Sequence, residues 1–434
     1  MTKPNSTPLR IALAGLGTVG TGTLTLLAAQ SDLLARRCGR PVTVTDVAAR
    51  DRTRDRGIPL TGLNWHDDAV AMARNAEVDV VVELIGGADG PAKAVCEAAL
   101  DAGRHVVTAN KALIARHGVA LAERAESAGL TLAYEAAVAG GIPAIKTLRE
   151  GLAANGLSRV YGILNGTCNY ILSTMRETGR PFEDVLVDAQ RLGYAEADPT
   201  FDIDGIDAAH KLAILTSLAF GTRVEAGAVQ AEGIRHVSAL DIAFAEELGY
   251  RIKLLAIARR TRHGIEQRVH PCMVRSTSPI GGVEGVLNAV VAEGDFMPST
   301  VLVGAGAGAG PTASAVVADI VDIARGLKTP TFGVPATALE PLTDSPLSMH
   351  VGAYYLRLMV IDRPGVLAAV ARVLGEEAVS IESVLQRGRD PEEIVPLVLV
   401  SHDTEEAAML RAVARIGEHD AVVEPPRLIR IETL

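Results

Sequence analysis

The chain has 434 residues, which predicts two to four domains at roughly 100–200 residues each. Its net charge of −10 at pH 7 argues against nucleic-acid or anionic-membrane partners, although local Lys and Arg residues can still bind a phosphorylated ligand. The start, MTKPNSTPLR, lacks the pattern of a signal peptide, and no apolar run approaches the ~18–20 residues of a membrane span, so we expect a cytoplasmic protein. The four cysteines form no CxxC pair, which argues against a zinc site or a disulfide framework.

Residues 1–137 are predicted to form an α/β domain of the Rossmann type. Continuous apolar strands that alternate with helices predict a parallel sheet covered on both faces. Helical patterns between the strands include 91–102 and 111–128. The predicted strands read RIALAGLG, PVTVTDVA, VDVVVELIG, RHVVTAN and LTLAYEAAV.

The rest of the chain divides into four further stretches. Residues 138–305 mix strands and helices less regularly and predict an α+β domain. Residues 306–327 begin in a glycine-rich segment, GAGAG, and continue into an Ala/Val-rich helix. The Pro-rich, polar stretch 328–348 is predicted to be a linker. Residues 349–434 show a βαββαβ order, typical of a ferredoxin-like fold, in which the second strand reads VSIESVLQRG.

A glycine-rich loop follows the first predicted strand and opens a helical run. Glycines at this position allow a tight turn and a close approach of the backbone to a pyrophosphate, and the helix N-terminus offers free N–H groups. This context predicts a dinucleotide site, whereas a glycine turn without a ligand is uncommon here. The predicted cofactor-binding residues of the loop are Gly15, Leu16, Gly17, Thr18, Val19 and Gly20.

The end of the second strand indicates which dinucleotide is bound. An NAD site usually has an acidic residue ~20 residues after the loop, bonded to the ribose 2′-hydroxyl. Arg50, with Arg52 and Arg54 nearby, is better suited to a 2′-phosphate and favours NADP. Asp46 and Asp51 keep NAD open, and a solvated loop is the alternative role for the arginines.

Two further strand ends carry polar residues. In open α/β sheets ligands collect at the carboxyl ends of the strands, which places Glu83 and Lys111 beside the cleft. A lysine there can bind substrate or polarise a carbonyl, although Lys111 could equally be a surface residue at a helix start.

The segment Gly193–Lys211, GYAEADPTFDIDGIDAAHK, is the most informative. Asp207 and Lys211 are four residues apart and share one helix face. Acids near a helix dipole explain the carboxylates, but not a lysine that begins an apolar run, where an unpaired charge is costly. An EF-hand that began at Asp198 would need Glu at the position of Ala209. We therefore predict an amine-binding carboxylate cluster with a proton-donating lysine.

Several motifs resemble those of homoserine dehydrogenase in order and spacing, from Leu9 to Gly326: GLGTVG, TANKALIA, YEAAVAGGIP, LNGTCNYIL, GYAEADPTFDIDGIDAAHKL and GAGAG. Residues 349–434, with DRPGVL, look like an ACT domain, a small amino-acid-sensing module. The resemblance implies NAD(P)-dependent interconversion of L-homoserine and L-aspartate 4-semialdehyde, a step toward threonine, methionine and isoleucine, with 138–305 as the catalytic and dimerisation domain.

The resemblance also implies roles for individual residues. Lys211 matches the family's proton donor, and Lys111 is its other active-site lysine, beside the cofactor. The substrate-binding carboxylates are Glu196, Asp202 and Asp207. Cofactor contacts outside the first domain are Gly193 and Gly308. A monovalent cation, usually sodium, matches Glu135 with the backbone carbonyls of Val138, Gly140 and Ile142.

Two alternative functions remain open, and the ACT domain and the oligomeric state carry expectations of their own. A thiol nucleophile at Cys168 would instead give an aspartate-semialdehyde dehydrogenase, although no histidine base has an obvious place beside it. A sensor of NADP and an amino acid that has lost catalysis is a different class of function. For the ACT domain we expect threonine as effector near the turn at Gly365, or a role in assembly alone, and a homodimer or homotetramer overall.

Overall fold

A computed structural model describes residues 7–386 and 393–434. Residues 1–6 of MTKPNSTPLR, and residues 387–388 with which the predicted strand VSIESVLQRG ends, lie outside the described residues. Within these ranges no helix combines the length and apolarity that a membrane crossing needs.

The first sheet has six parallel strands, and the helices of this domain run between them. The strands are β1 (Leu9–Ala14), β2 (Val42–Ala48), β3 (Asn64–His66), β4 (Val80–Glu83), β5 (His105–Thr108) and β6 (Leu132–Ala133). The helices are α1 (Thr18–Ala29), α2 (Ser31–Cys38), α3 (Ala69–Asn75), α4 (Pro91–Asp101) and α5 (Lys111–Ser127).

The strand order is β3-β2-β1-β4-β5-β6. Successive strands are therefore added on one side of β1 up to β3 and on the other side from β4 onward, so the order reverses between β1 and β4. Strand β4, VVVE, is fully buried because helices cover both faces of the sheet. A crevice forms where the order reverses, and it opens at the carboxyl ends of β1 and β4. The predicted Rossmann-type sheet is confirmed, with the short edge strand β3 as an addition.

The second part of the chain places helices against one long mixed sheet. Its helices are α6 (Ala144–Lys146), α7 (Gly166–Thr178), α8 (Phe182–Arg191), α9 (Thr200–Ile203), α10 (Ile206–Phe220), α11 (Ala239–Glu247) and α12 (Ala309–Ala324). Its strands are β7 (Leu157–Ile163), β8 (Gln230–Ala231), β9 (Tyr250–Thr261), β10 (Gly264–Arg275), β11 (Leu287–Gly294) and β12 (Thr300–Ala305). Short 3₁₀ or π turns lie at 135–137, 147–151, 226–228, 336–338 and 347–349.

Helix α12 returns to the first domain and packs along α1. The contact is close because Gly22 has no side chain: a Cβ there would lie 2.8 Å from the carbonyl oxygen of Ala309. The glycine-rich segment that precedes α12 thus ends beside the dinucleotide-binding loop.

The stretch 328–348, predicted to be a linker, packs against the protein. Glu126 of α5 accepts backbone hydrogen bonds from Thr331 (2.9 Å) and Ala336 (2.7 Å). Phe332 is 1 % exposed and its ring contacts that of Tyr134. The Pro-rich composition reflects turns that lie on the surface of the core.

The C-terminal module has the predicted βαββαβ order. Its elements are β13 (Val351–Ile361), α13 (Val366–Glu376), β14 (Ile381–Gln386), β15 (Ile394–Ser401), a short β16 (Thr404–Glu405), α14 (Glu406–Gly417) and β17 (Arg427–Glu432). Strand β17 pairs in parallel with β10, so the long sheet runs unbroken as β12-β11-β7-β9-β10-β17-β13-β15-β14. The C-terminal module and the second part of the chain therefore share one sheet.

Candidate active site

The glycine-rich loop lies against the loop that follows β4. Gly15 has φ +104°, and a Cβ there would lie 2.5 Å from the Leu84 carbonyl oxygen. A Cβ on Gly20 would lie 2.0 Å from the Gly15 carbonyl oxygen. Both positions require glycine, and Gly17 caps α1 without a side-chain hydrogen bond, which leaves the N–H groups of Thr18 and the following residues for a ligand.

The structure brings Gly308 to this loop but leaves Gly193 in an exposed turn. Gly308 has φ +113° and caps α12, the helix that packs along α1, so two helix N-termini face the same region. Gly193, with φ +75°, follows α8 and donates its backbone N–H to Gln190.

The two carboxylates that kept NAD open are both engaged within the protein. Asp46 is 5 % exposed, and its Oδ1 lies 2.7 Å from His66 Nε2. Asp51 accepts hydrogen bonds from the backbone and the hydroxyl of Thr53. Arg50 lies two residues beyond β2 and is exposed at the edge of the crevice.

A fourth arginine of the same stretch, Arg56, escaped the sequence interpretation. Its Nε donates to the carbonyl of Leu16 at 3.3 Å, and its guanidinium lies 5.3 Å from the centre of the Trp65 ring. Arg56 thus ties the arginine-rich loop to the glycine-rich loop. The sequence did not indicate this role, because Arg and Asp alternate in ARDRTRDRG and such a pattern is typical of a solvated loop.

Glu83 organises the carboxyl ends of β4 and β5. It is fully buried, accepts backbone N–H bonds from Ile85 (2.7 Å) and Gly86 (3.1 Å), and accepts the Thr108 hydroxyl at 2.6 Å. With every carboxylate oxygen engaged in this way, Glu83 shapes the crevice wall.

Lys111 reaches across the crevice to α10. Asn110 caps α5 by accepting the Leu113 backbone N–H, and its amide nitrogen donates to the Gly87 carbonyl. Lys111, the first residue of α5, forms an ion pair with Asp207. The sequence left open a role as a surface helix-start residue, and this contact gives Lys111 a place in the cluster.

Asp207 and Lys211 form a buried ion pair one turn apart on α10. Lys211 Nζ donates to Asp207 Oδ2 at 2.6 Å and to the Leu164 carbonyl at 2.7 Å. Burial lowers the pKa of Lys211, although the Asp207 carboxylate opposes this shift. Burial alone would raise the pKa of Asp207, but Lys211 and Lys111 outweigh it and hold that pKa well below its usual range.

Asn165 bridges two carboxylates from the start of α7. Its Nδ2 donates to Asp202 Oδ1 and to Asp207 Oδ2, each at 2.9 Å. Burial raises the pKa of Asp202. The motif LNGTCNYIL contains Asn165, and an Asn directly before a helical run signals a helix cap, but the contacts with α9 and α10 depend on the tertiary fold.

Cys168 is a packed thiol. It is fully buried, its Sγ donates to the Asp202 carbonyl at 3.3 Å, and burial raises the pKa of the thiol well above its usual value. A nucleophilic cysteine needs a thiolate, so this environment disfavours the acyl-enzyme alternative.

Glu196 is exposed in the loop between α8 and α9. Its backbone carbonyl accepts a hydrogen bond from Gln190, and this contact fixes the loop and not the carboxylate. The structure thus joins Asp202, Asp207, Lys111 and Lys211 in one cluster, whereas Glu196 is exposed in the loop before α9.

The predicted cation loop is a tight buried turn after β6. Ala139 (φ +56°) and Gly140 (φ +51°) are consecutive left-handed residues, and a Cβ on Gly140 would lie 2.3 Å from the Gly306 carbonyl oxygen. Both Glu135 carboxylate oxygens accept N–H bonds at 2.9 Å from the start of α6. Burial and the nearby Asp319 raise the pKa of Glu135 to about 7.

A second cluster lies where β10 meets β17. Ligand atoms of His270, Cys272 and Glu432 lie within 4.8 Å of one another. Arg268 Nη1 donates to Glu432 at 2.8 Å and lies 3.2 Å from His270 Nε2, so a guanidinium already occupies the centre of this group. The cluster joins the two sheet halves by an ion pair.

A parallel dinucleotide-binding sheet whose open edge meets a buried lysine–carboxylate cluster defines a nicotinamide-dependent oxidoreductase. The family models agree in chain order: the homoserine dehydrogenase NAD binding domain matches residues 15–135, homoserine dehydrogenase matches residues 143–321, and the ACT domain matches residues 354–418.

Relatives and solved structures extend this match over the whole chain. A homoserine dehydrogenase from Pseudomonas aeruginosa is 48% identical over 98% of this chain and 99% of its own. The crystal structure of a homoserine dehydrogenase from Thiobacillus denitrificans superposes with a TM-score of 0.93 at 45% identity, covering 99% of each chain. A hyperthermophilic archaeal homoserine dehydrogenase, solved in complex with NADPH, has a TM-score of 0.65 and 26% identity over 75% of this chain and 100% of its own.

This chain belongs to the homoserine dehydrogenase family and carries an ACT domain. It is an oxidoreductase that interconverts L-homoserine and L-aspartate 4-semialdehyde with a nicotinamide cofactor. The family, fold class and reaction expected from the sequence are confirmed, and the readings as an aspartate-semialdehyde dehydrogenase or a non-catalytic sensor are set aside.

Proposed function

We propose that the buried pair of Lys211 and Asp207, with Lys111, is the catalytic centre of this reaction. The observation that carries the proposal is the Lys211 ammonium, 8 % exposed and held 2.6 Å from the Asp207 carboxylate. The nicotinamide, when bound, supplies or accepts the hydride. In the reductive direction Lys211 donates a proton to the aldehyde oxygen, and in the oxidative direction neutral Lys211 accepts the hydroxyl proton. Burial favours the neutral amine and so prepares it for both roles.

The carboxylates bind the amino-acid end of the substrate. Asp202 and Asp207 lie on neighbouring helices and face one Asn165 amide, and Glu196 is exposed in the loop that precedes α9. Their negative charge attracts the substrate ammonium, and Lys111 balances the charge of Asp207. The site thereby excludes substrates that lack an amine.

The decisive experiment compares Lys211→Ala and Asp207→Ala with Cys168→Ser. Homoserine-dependent reduction of NADP and of NAD is measured for each purified variant, with sodium or potassium present. We expect Lys211→Ala to lose roughly 10²–10⁴-fold in kcat, because a positioned acid–base group contributes about that much, while Cys168→Ser stays active. Full activity in Lys211→Ala, or loss confined to Cys168→Ser, would refute the assignment.

The preferred cofactor is NADP. Arg50 lies just beyond β2, where a 2′-phosphate would project, and Asp46 and Asp51 are engaged by His66 and Thr53. The NADPH bound in the archaeal relative supports the same choice. A lower KM for NADP than for NAD is the expected result, and equal values would contradict it.

The turn at 138–142 binds a monovalent cation, sodium first among them. The carbonyls of Val138 and Gly140 are buried, and among the described residues no donor is hydrogen-bonded to either oxygen. Hard cations prefer oxygen ligands, so these carbonyls, with Glu135 and the carbonyl of Ile142, fit such an ion. Thermal unfolding in sodium, potassium and choline chloride tests this proposal: a melting temperature that is the same in all three salts would contradict it.

The ACT module binds threonine and inhibits the enzyme as an end product of the pathway to threonine, methionine and isoleucine. A pocket of about 380 Å³ lies at the first strand–helix turn, lined by Asp362, Arg363, Gly365 and Gln386 among others. Because β17 pairs with β10, removal of the module would expose the catalytic sheet, so Asp362→Ala is a sharper test than truncation. Equal threonine inhibition in wild type and Asp362→Ala would leave the module with assembly alone.

The protein forms a homodimer or homotetramer. Strand β12 ends the long sheet on the catalytic side, and its Val301 and Val303 are 37% and 50% exposed. Light scattering of the wild type and of Val303→Lys tests whether this edge pairs with a second copy. The four free, buried cysteines support a reducing compartment, and we place the enzyme in the cytoplasm on that basis.

A further inference from the structure

Asn165 donates both N–H groups of one side-chain amide to two carboxylates of the site, the buried Asp207 and the half-buried Asp202. We propose that Asn165 is a positioning residue that sets the separation and orientation of Asp202 and Asp207 for the substrate ammonium. The residue is 4% exposed, and each Nδ2-to-oxygen distance is 2.9 Å, so the amide itself is shielded from water. The inference rests on the proposed roles of Asp207 and Lys211.

The orientation of this amide follows from hydrogen-bond chemistry. The backbone N–H of Cys168 donates to Asn165 Oδ1 at 2.8 Å. A backbone N–H can only donate, so the carbonyl oxygen of the amide must face α7 and the NH₂ group must face the carboxylates. A flipped amide would place an oxygen against both Asp202 and Asp207 and leave the helix start unsatisfied.

The same turn also positions the lysine. Asn165 is the cap residue of α7, with φ −127° and ψ 111°, and the residue before it, Leu164, presents its carbonyl to Lys211 Nζ at 2.7 Å. Two consecutive residues between β7 and α7 thus hold the carboxylates and the acid–base lysine from one side. The conformation of this cap residue therefore fixes the direction of the Asn165 side chain and of the Leu164 carbonyl together.

A neutral donor suits this place. Asp202 and Asp207 repel each other, and an Arg or Lys between them would relieve the repulsion by cancelling the negative charge. An amide shares two N–H groups between the carboxylates and adds no further positive charge to a site where Lys111 and Lys211 already pair with Asp207. Asn165 therefore positions both carboxylates without adding a repulsion against the incoming ammonium.

Two substitutions separate this role from helix capping. Asn165→Ser keeps an oxygen that can cap α7 but is too short to bridge the carboxylates. Asn165→Asp keeps the shape and the cap but replaces the NH₂ group with a third negative oxygen. We expect Asn165→Ser to lose roughly 10- to 100-fold in kcat/KM for homoserine with an unchanged KM for NADP, because misplacement by about 1 Å has that order of effect.

Asn165→Asp should lose at least as much and should also change the pH profile. Its added negative charge stabilises protonated Lys211, so the rise of homoserine oxidation with pH moves to higher pH. Capping alone would not cause such a displacement. Asp68→Ser, a comparable cap exchange at α3 with no contact to the cluster, should keep kcat/KM and the wild-type profile.

Thermal unfolding is measured for all variants, and the kinetics are compared at a temperature at which each variant is folded, because both Asn165 variants lose two hydrogen bonds to carboxylates and should unfold at a lower temperature than wild type. The inference is overturned if Asn165→Ser and Asn165→Asp keep kcat/KM within about 2-fold of wild type, or if lost activity follows lost stability and the KM for NADP rises equally. Asp207→Ala distinguishes the two levels: an active Asp207→Ala refutes the proposed site itself, whereas an inactive Asp207→Ala beside an active Asn165→Ser refutes only the role of Asn165.

Discussion

Arg430 of the ACT module and Glu232 of the catalytic domain form an ion pair of 3.1 Å that crosses the junction between them. The Arg430 guanidinium is largely buried and also binds Glu406 at the start of α14. One side chain thus contacts a helix of the ACT module and a loop of the catalytic domain. The parallel pairing of β10 with β17 holds these groups in register.

The loop that carries Glu232 supports the acidic segment of the active site. The backbone N–H of Ile234 donates to the Ile203 carbonyl at 2.9 Å, at the end of α9. A Cβ on Gly233 would lie 2.2 Å from the same carbonyl, so the segment at Gly233 and the end of α9 are in direct contact. Asp202 precedes this point and Asp207 follows it, which gives the ACT module a continuous route of contacts to the carboxylate cluster.

We predict that Glu232→Gln weakens threonine inhibition without changing basal turnover. The substitution removes the charge that meets Arg430 but leaves Arg430 paired with Glu406. Because the Glu232 side chain is 51% exposed, the coupling is modest, of order 1 kcal/mol or less, and the inhibitory threonine concentration should rise up to about 5-fold. Steady-state inhibition curves at fixed homoserine provide the measurement.

Glu418→Gln, at an exposed position that follows α14, is the matched control and should keep wild-type inhibition. Identical inhibition curves for wild type, Glu232→Gln and Glu418→Gln would show that the ion pair between Arg430 and Glu232 plays no part in threonine inhibition.

The rate of homoserine oxidation should rise with pH through the pKa of Lys211, and the reverse reduction should fall through the same range. Oxidation needs the neutral amine as base and reduction needs the ammonium as acid. Since burial lowers this pKa from the ordinary lysine value of 10.5, the midpoint should lie below it. Initial rates in both directions, measured from pH 6 to about 10 at saturating cofactor, locate the midpoint.

Lys211→Arg tests the origin of that profile. A guanidinium keeps the charge beside Asp207 but does not deprotonate in this range, so oxidation should lose its rise with pH. Lys253→Arg alters a second buried lysine, which pairs with Glu284, and should preserve the wild-type midpoint. The same midpoint in Lys211→Arg as in wild type would assign the titration to another group.

The sequence predicted the elements whose signals are local. The apolar runs and glycines around β1 and β4 predicted the parallel sheet, and the i,i+4 spacing of Asp207 and Lys211 predicted their pairing. Strand β3 and the packed course of 328–348 escaped prediction, because a three-residue edge strand has no periodicity and a Pro-rich stretch reads as a linker whether or not it packs.

Long-range contacts were beyond the reach of sequence patterns. Asn165 bridges residues 37 and 42 positions away, and Lys111 meets Asp207 from another domain. The pairing of β17 with β10 also escaped prediction, because the sequence of a strand does not indicate which distant strand it will pair with. In each case the residue type signalled polarity, but only the fold determined which polar group it would meet.

Arg50→Ala should raise the KM for NADP and leave the KM for NAD nearly unchanged. Removal of one guanidinium from a 2′-phosphate costs roughly 1.5–3 kcal/mol, which is about 10- to 150-fold. Kinetics with both cofactors give the ratio, and Trp65, the single tryptophan, provides a fluorescence signal for direct titration. Arg36→Ala on α2 removes the same charge from the same domain as the control. An equal rise in the KM for NADP and the KM for NAD would mean that Arg50 does not contact the 2′-phosphate.

Glu126→Ala should destabilise the protein without a direct effect on catalysis. The carboxylate holds the stretch 328–348 through the backbone N–H groups of Thr331 and Ala336. Loss of a partly buried acceptor costs about 1 kcal/mol for each donor, so the two together predict roughly 2 kcal/mol. Glu126→Gln keeps one acceptor oxygen and should recover about half of the loss. Chemical denaturation measures both values, and Glu123→Ala, one turn earlier on α5, controls for the loss of charge. A stability of Glu126→Ala equal to that of Glu123→Ala would show that the stretch is held by the packing of Phe332 alone.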